Sequence, residues 1–202
     1  LGGKAGIVNI HMGDASKPFE PIIQAVENSE LPYTQFYPTH CNRNKEIFED
    51  AKKYGKYGYL DITSSSYPFF PDEEIKPSVA IRDFIEAGVP EEHITMSSDA
   101  NGSLPEFDKA GNLVQLKKGK PSANLKEIKD AVLNEHVPMA TALKTVTSNV
   151  ADILKLKQKG RIEENYDADA ILLDKNFQIK YLFAGGCLLT EDYKIQKKGN
   201  FE

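Results

Sequence analysis

The chain has 202 residues, 40% of them hydrophobic and 27% charged, with a formal net charge of −5. That length fits one large domain or one and a half ordinary ones, and the ordinary balance of apolar and charged residues excludes a disordered or fibrous chain. Lys and Arg are scattered among acids, so no nucleic-acid partner is expected, and no apolar run approaches the ~20 residues that cross a bilayer, so no membrane partner is expected either.

Leu1-Gly2-Gly3-Lys4-Ala5-Gly6 lacks the basic and then apolar stretches of a secretory signal. The chain opens in this Gly-rich turn without an initiator Met, as an internal piece of a longer polypeptide would. Cys41 and Cys187 show no disulfide spacing. They are expected to be buried thiols of a protein in the reducing cytoplasm.

In chain order, Gly6–Ile10 is a β-branched run ending at His11. Lys17–Asn28 then carries Phe19, Ile22, Ile23 and Val26 at helical spacing. Thr34–Pro38 reads as a second strand ending at His40, followed by a helix over Asn44–Tyr54 with Ile47, Phe48 and Ala51 as its apolar stripe. Tyr57–Thr63 is a third strand running into Ser64-Ser65-Ser66. Pro77–Ala87 is a helix closed by Gly88, and His93–Ser97 is a fourth strand ending at Asp99.

Beyond Asn101 the pattern changes. Phe107–Leu113 reads as a hairpin about a Gly turn, and helices follow over Asn124–Asn134, Pro138–Thr145 and Asn149–Leu156. Asp169–Leu173, Ile179–Phe183 and a last hairpin from Gly185-Gly186 to Ile195 are strands.

Successive β-then-α units imply an α/β fold with a parallel sheet. No Gly-x-Gly-x-x-Gly turn follows the first strand, whereas polar clusters close every strand, as in barrels whose chemistry sits at C-terminal strand ends. The expected fold is therefore the C-terminal half of a (β/α)8 TIM-like barrel over residues 1–159. Residues 160–202 would form a small C-terminal β appendage, part of a β-sandwich domain. Four strands cannot close an eight-stranded barrel, so both lateral edges would be open.

Three strand ends carry candidate chemistry: His11 in Asn9-Ile10-His11-Met12-Gly13-Asp14, His40 in Pro38-Thr39-His40-Cys41-Asn42-Arg43-Asn44, and Asp99 in Ser97-Ser98-Asp99-Ala100-Asn101-Gly102-Ser103. Imidazoles and carboxylates are usual ligands of Zn²⁺ and related ions. Singly, each has a bland reading: a structural His, an Asx-turn at Asp99, a surface cation at Arg43, a turn start at Ser103. His11, His40 and Asp99 are singled out because they close three of four consecutive strands in the same sense. His93, before its strand, and His136, between helices, fail that test and read as structural.

These three segments resemble those of isoaspartyl (β-aspartyl) dipeptidases of the amidohydrolase superfamily. The likeness continues through Leu60-Asp61-Ile62-Thr63-Ser64-Ser65, the hairpin near Gly111, Thr147-Ser148-Asn149-Val150-Ala151 and Tyr166-Asp167-Ala168-Asp169-Ala170-Ile171-Leu172. The last pattern is common to many amidohydrolases, whereas His-Met-Gly-Asp and His-x-Asn-Arg-Asn are narrower. The resemblance implies a homo-oligomeric metallo-dipeptidase acting on small β-aspartyl dipeptides with a binuclear zinc centre. In it His11 and His40 would be ligands of the second metal, Asp99 would be a metal ligand and the catalytic base, and Arg43 and Ser103 would hold substrate carboxylates.

The family's His-x-His pair, bridging carboxylated lysine and a further substrate-binding arginine have no counterpart in this sequence, so the chain by itself is expected to be inactive. Two other readings are a hydantoinase- or dihydroorotase-like amidohydrolase and a non-catalytic half-barrel scaffold.

Overall fold

The computed structural model describes residues 6–108 and 110–198. The first part alternates strand and helix: β1 (Val8–His11), α1 (Glu20–Glu27), β2 (Phe36–Thr39), α2 (Lys45–Tyr54), β3 (Leu60–Thr63), α3 (Pro77–Glu86) and β4 (Ile94–Ser97). β1 pairs with β2 and β3 with β4, both parallel. The described residues form no closed barrel.

The junction between β2 and β3 has a local cause. The Thr39 carbonyl accepts from Met12 N–H on the β1 side, so the neighbouring residue Pro38 turns its backbone the other way, towards β3, with no N–H to offer. Cys41 N–H, bonding Asp61 O at 3.0 Å, and a set of side-chain bonds close the gap instead.

Alternation along β3 and β4 sorts the two faces. Leu60, Ile62, Ile94 and Met96 join the apolar core with Ile47, Phe48 and Ala51 of α2 and Ala80, Ile81 and Phe84 of α3. Each such large side chain taken fully out of water contributes about 1.5–3 kcal/mol. Asp61, Thr63, Thr95 and Ser97 turn to the opposite face, where the Thr95 and Ser97 hydroxyls bond Asp61 and the Thr63 hydroxyl meets His40.

Helix ends follow local chemistry. The Asn44 side chain accepts from Ile47 N–H at 2.9 Å and starts α2, and Gly88 in the left-handed region (φ 80°) follows α3. No side chain of its own caps α3. The buried Glu127 carboxylate of α4 (Ala123–Leu133) accepts from Ser78 N–H at 3.2 Å instead, placing negative charge at the helix's positive end. Lys76 pairs with Asp130 at 2.9 Å across the same interface.

Between β4 and α4 lies an antiparallel hairpin, β5 (Ser103–Phe107) and β6 (Leu113–Lys118), longer than the Phe107–Leu113 turn expected. α5 (Met139–Lys144) and α6 (Ser148–Ile153) are held against β4 by Met96 N–H to Thr145 O (2.8 Å) and by Asn149 Nδ2, which donates to Glu91 O and Ile94 O. The tail is one antiparallel sheet in the order β10 (Lys194–Ile195), β9 (Cys187–Glu191), β8 (Ile179–Ala184), β7 (Ala170–Leu173). Phe177, in the β7–β8 turn, joins the main core. No helix among the described residues is long and apolar enough to cross a membrane.

Two expectations are corrected. Tyr57 does not open β3: its N–H and that of Gly58 both bond Tyr54 O, so the chain is still unwinding from α2 and the strand starts at Leu60. Gly58 is needed here because a Cβ would lie 2.7 Å from the Tyr54 ring. Of the cysteines, Cys41 is buried, but Cys187 is exposed, since it follows the tight Gly185-Gly186 turn at the rim of the tail sheet.

Candidate active site

His11 is the last residue of β1 and His40 lies one residue beyond β2. The structure brings them together, with His11 Nδ1 3.0 Å from His40 Nε2. On its other side His40 Nδ1 lies 2.7 Å from Thr63 Oγ1. A hydroxyl there can accept from or donate to Nδ1, and in either case it fixes the ring's orientation with Nε2 directed at His11. Burial and the nearby His11 and Arg43 hold the His40 pKa below the ordinary imidazole value, with Asp99 opposing, which favours the neutral, ligating form.

His40 and Asp99 share an uncommon backbone state, with φ of 64° and 50°. For a residue with a Cβ this region costs roughly 1–2 kcal/mol, so surrounding bonds must hold it. At His40 the work falls to Asn42, which is buried: its Nδ2 donates to Thr63 O and Ile75 O, and its Oδ1 accepts from Thr63 N–H. At Asp99, Gly102 N–H bonds Asp99 O at 3.0 Å, and Asn101 N–H bonds Gly119 O at 3.1 Å. A Cβ on Gly119 would sit 2.6 Å from Asp99 O, so only glycine allows this approach.

A cleft of about 900 Å³ opens beside these residues, lined by His40, Asp99, Arg43, Ser103, Asp14 and Glu74 among others. Arg43, half exposed, lies 3.4 Å from Asp14 through Nε, and Asn44 Nδ2 also donates to Asp14, at 2.9 Å. An exposed pair of this kind contributes little to stability, so the guanidinium remains available to a ligand carboxylate. Ser103, exposed at the start of β5, stands on the same cleft. Four of the five residues named from the sequence, His40, Arg43, Asp99 and Ser103, thus line one cleft, and His11 adjoins it through His40. His93 instead places Nδ1 2.8 Å from Gly55 O, in keeping with a structural role.

Residues that the sequence reading passed over surround them. Asp61, 2% exposed, receives Thr39 and Ser97 hydroxyls on Oδ2, both at 2.6 Å, and Thr95 and Tyr37 hydroxyls on Oδ1 at 2.8 and 3.2 Å. Burial pushes its carboxyl pKa up, and the hydroxyl donors oppose that. Thr39 precedes His40 and Ser97 stands two residues before Asp99, so this carboxylate ties the two site-bearing strand ends together. Glu74 accepts from Ser66 Oγ at 2.7 Å, and burial raises its pKa to about 7. Polar side chains at alternate positions of otherwise apolar strands were the available signal.

Two imidazole nitrogens converging across 3.0 Å suit a shared divalent ion: with Zn–N bonds of about 2.0–2.1 Å in tetrahedral geometry, such nitrogens sit roughly 3.4 Å apart. The fit extends to two ligands. Among the described residues no group of three or more His, Cys, Asp or Glu side chains is placed to hold an ion.

Solved structures of β-aspartyl dipeptidase from Fervidobacterium islandicum AW-1 resemble this chain over 99% of its length. One, in complex with β-Asp-Leu dipeptide, has 37% identity and a TM-score of 0.85, with 52% of that chain covered. Another has 33% identity and a TM-score of 0.81, with 49% covered. Atrazine chlorohydrolase TrzN from Arthrobacter aurescens TC1, complexed with zinc, shares the fold at 13% identity and a TM-score of 0.55, over 96% of this chain and 46% of that one. The chain therefore spans about half the length of these proteins. Residues 9–196, which hold the histidine pair, Asp99 and the tail sheet alike, match the Amidohydrolase family, and the chain belongs to that family.

Proposed function

We propose that this chain is the C-terminal part of a cytoplasmic metal-dependent β-aspartyl dipeptidase, with residues 1–159 as half of its (β/α)8 body and residues 160–202 as part of a β-sandwich. The observation that carries the reading is the convergent His11–His40 pair, of which His40 lines a cleft together with Arg43, Ser103 and Asp99. The 37% identity to a protein solved with β-Asp-Leu supports the substrate class.

In this reading His11 Nδ1 and His40 Nε2 would be two of the ligands of a binuclear zinc centre, and its remaining donors would come from outside this chain. Bound zinc supplies Lewis acidity and a water acidified towards neutral pH. Asp99, at the same strand ends, takes a proton from the attacking water and delivers it to the leaving amine. Arg43 engages a dipeptide carboxylate with its planar fork, giving up Asp14 to do so, and Ser103 donates its hydroxyl to the same class of group. Thr63 orients His40 throughout.

The test is hydrolysis of β-Asp-Leu in the presence of zinc by the full-length polypeptide carrying these residues, beside the 202-residue chain. Turnover by the first and none by the second is expected. Full turnover by the 202-residue chain would refute the division of ligands, and turnover of a cyclic imide in place of the dipeptide would assign a hydantoinase-like enzyme.

A further inference from the structure

Away from the cleft that holds Arg43 and Ser103, a second pocket of about 550 Å³ lies between the Ser65–Phe69 loop, the start of α4 and the β7–β8 turn. Among the described residues its charged lining consists of Lys120, Lys126 and Lys129, with no Asp or Glu. This is unusual in a chain with a net charge of −5. The positive end of the eleven-residue helix α4 opens here, and no side chain caps it. Phe69 and Phe177 supply apolar walls.

The independent observation is Ser65. Ser65 is a lining residue of this pocket and is 3% exposed, and among the described residues its buried Oγ has no hydrogen-bond partner. An orphaned buried hydroxyl costs about 1–3 kcal/mol. Its flanking serines are both satisfied: Ser64 Oγ bonds Asn124 and Ser66 Oγ bonds Glu74.

We propose that this pocket binds a small organic oxyanion, a phosphate or carboxylate group carried on an apolar body. The charged end would take the Ser65 hydroxyl, the lysines and the α4 terminus, and the apolar end would lie between Phe69 and Phe177. Anions favour such helix starts because unpaired N–H groups and the dipole act together. The pocket touches the active-site wall: a methyl placed on Gly119 would lie 2.6 Å from both Ser65 Oγ and Asp99 O.

The inference does not depend on the dipeptidase reading, because its test is binding to the 202-residue chain, free of any turnover. Phenyl phosphate, phenylacetate, inorganic phosphate and benzyl alcohol are titrated against the chain, followed by calorimetry and amide chemical shifts. Saturable binding of phenyl phosphate or phenylacetate is expected, with shifts centred on Ser65 and the start of α4, weaker binding of inorganic phosphate, and none of benzyl alcohol. The stronger of the two aromatic anions identifies the head group. Ser65→Ala and Lys126→Glu should each weaken binding by about tenfold, the size expected for one charged hydrogen bond or one reversed charge, without lowering the melting temperature. Lys126 is exposed, so its variant tests the site even if Ser65→Ala disturbs packing. Three results would overturn the proposal: no saturation with either aromatic anion at millimolar concentration, affinities unchanged in both variants, or benzyl alcohol binding as well as the anions.

Discussion

Replacing Asp61 with Ala removes the one carboxylate on which Thr39, Thr95, Ser97 and Tyr37 converge. A hydrogen bond to a charged group contributes about 1.5–3 kcal/mol, and the two 2.6 Å contacts from Thr39 and Ser97 carry most of it. Thr95 retains Leu60 O and Tyr37 as partners, so its loss is smaller. Against this stands relief of the desolvation that raises the Asp61 pKa. The net loss expected for Asp61→Ala is about 3–4 kcal/mol, in the range for breaking a buried charged network. Asp61→Asn keeps one carbonyl acceptor and the side-chain volume, and about 1–2 kcal/mol is expected. Urea denaturation of the chain measures both. A cycle combining Asp61→Ala with Ser97→Ala should be strongly non-additive, because the second change removes a hydroxyl already orphaned by the first. An Asp61→Ala variant within about 0.5 kcal/mol of the parent would refute the view that this carboxylate holds β2, β3 and β4 together.

Glu74 gives a pH signature. Its pKa is about 7 when folded against an ordinary 4.5, so the folded state binds the extra proton between those values and stability falls as pH rises through that window. Glu74→Gln should remove this slope in urea titrations across the window, with a gain above neutral pH held to about 1 kcal/mol by the side chain's partial exposure. In the full-length polypeptide Thr63→Val removes the partner of His40 Nδ1 and should weaken zinc affinity by about 10–100-fold in a competition assay with a chelating dye, whereas a purely structural His40 predicts no change. In the full-length enzyme proposed above, Asp99→Asn should lower kcat by about 10²–10⁴ through loss of general-base help, with the melting temperature little changed. Arg43→Lys keeps the charge but not the fork and should act mainly on KM; steady-state kinetics on β-Asp-Leu separate the two.

The strand and helix order through Ser97 was legible because each helix carries a 3.6-residue apolar stripe and each strand end a polar cluster. The strand-end positions of His11, His40 and Asp99 were legible for the same reason, whereas Arg43 and Ser103, which line the cleft with His40 and Asp99, drew notice only through the motifs around them. Asp61 and Thr63 were not, because in Leu60-Asp61-Ile62-Thr63 two apolar and two polar residues alternate in a strand buried on both faces. Such a segment reads equally well as a half-exposed strand whose polar side meets water, and only the placement of Thr39, Thr95 and Ser97 opposite Asp61 shows that it does not. The start of β3 was misplaced because Tyr57 and Tyr59 have strand propensity, while the decisive contact, Tyr54 packed over Gly58, is not a property of either tyrosine. Cys187 was misjudged on residue type alone, since a hairpin position next to two glycines decides its exposure.

His40 and Asp99 sit where regular structure has just ended, and that location has an energetic logic. A side chain on β2 or β4 itself would point either into the helix-facing core or into the hydroxyl cluster around Asp61. By leaving the strand and adopting a left-handed backbone, His40 and Asp99 escape both and face the cleft. The two excursions together cost roughly 2–4 kcal/mol, and the compensation lies in neighbours with no chemistry of their own. Asn42 makes three bonds from a buried position, and Gly102 and Gly119 admit the Asp99 turn at distances that a Cβ would forbid. Substituting Asn42 with Ala should therefore disturb the His11–His40 geometry as much as it destabilises the fold, although Asn42 touches neither ring nitrogen. In this molecule the precision of the histidine pair is set by backbone-fixing residues one layer behind it.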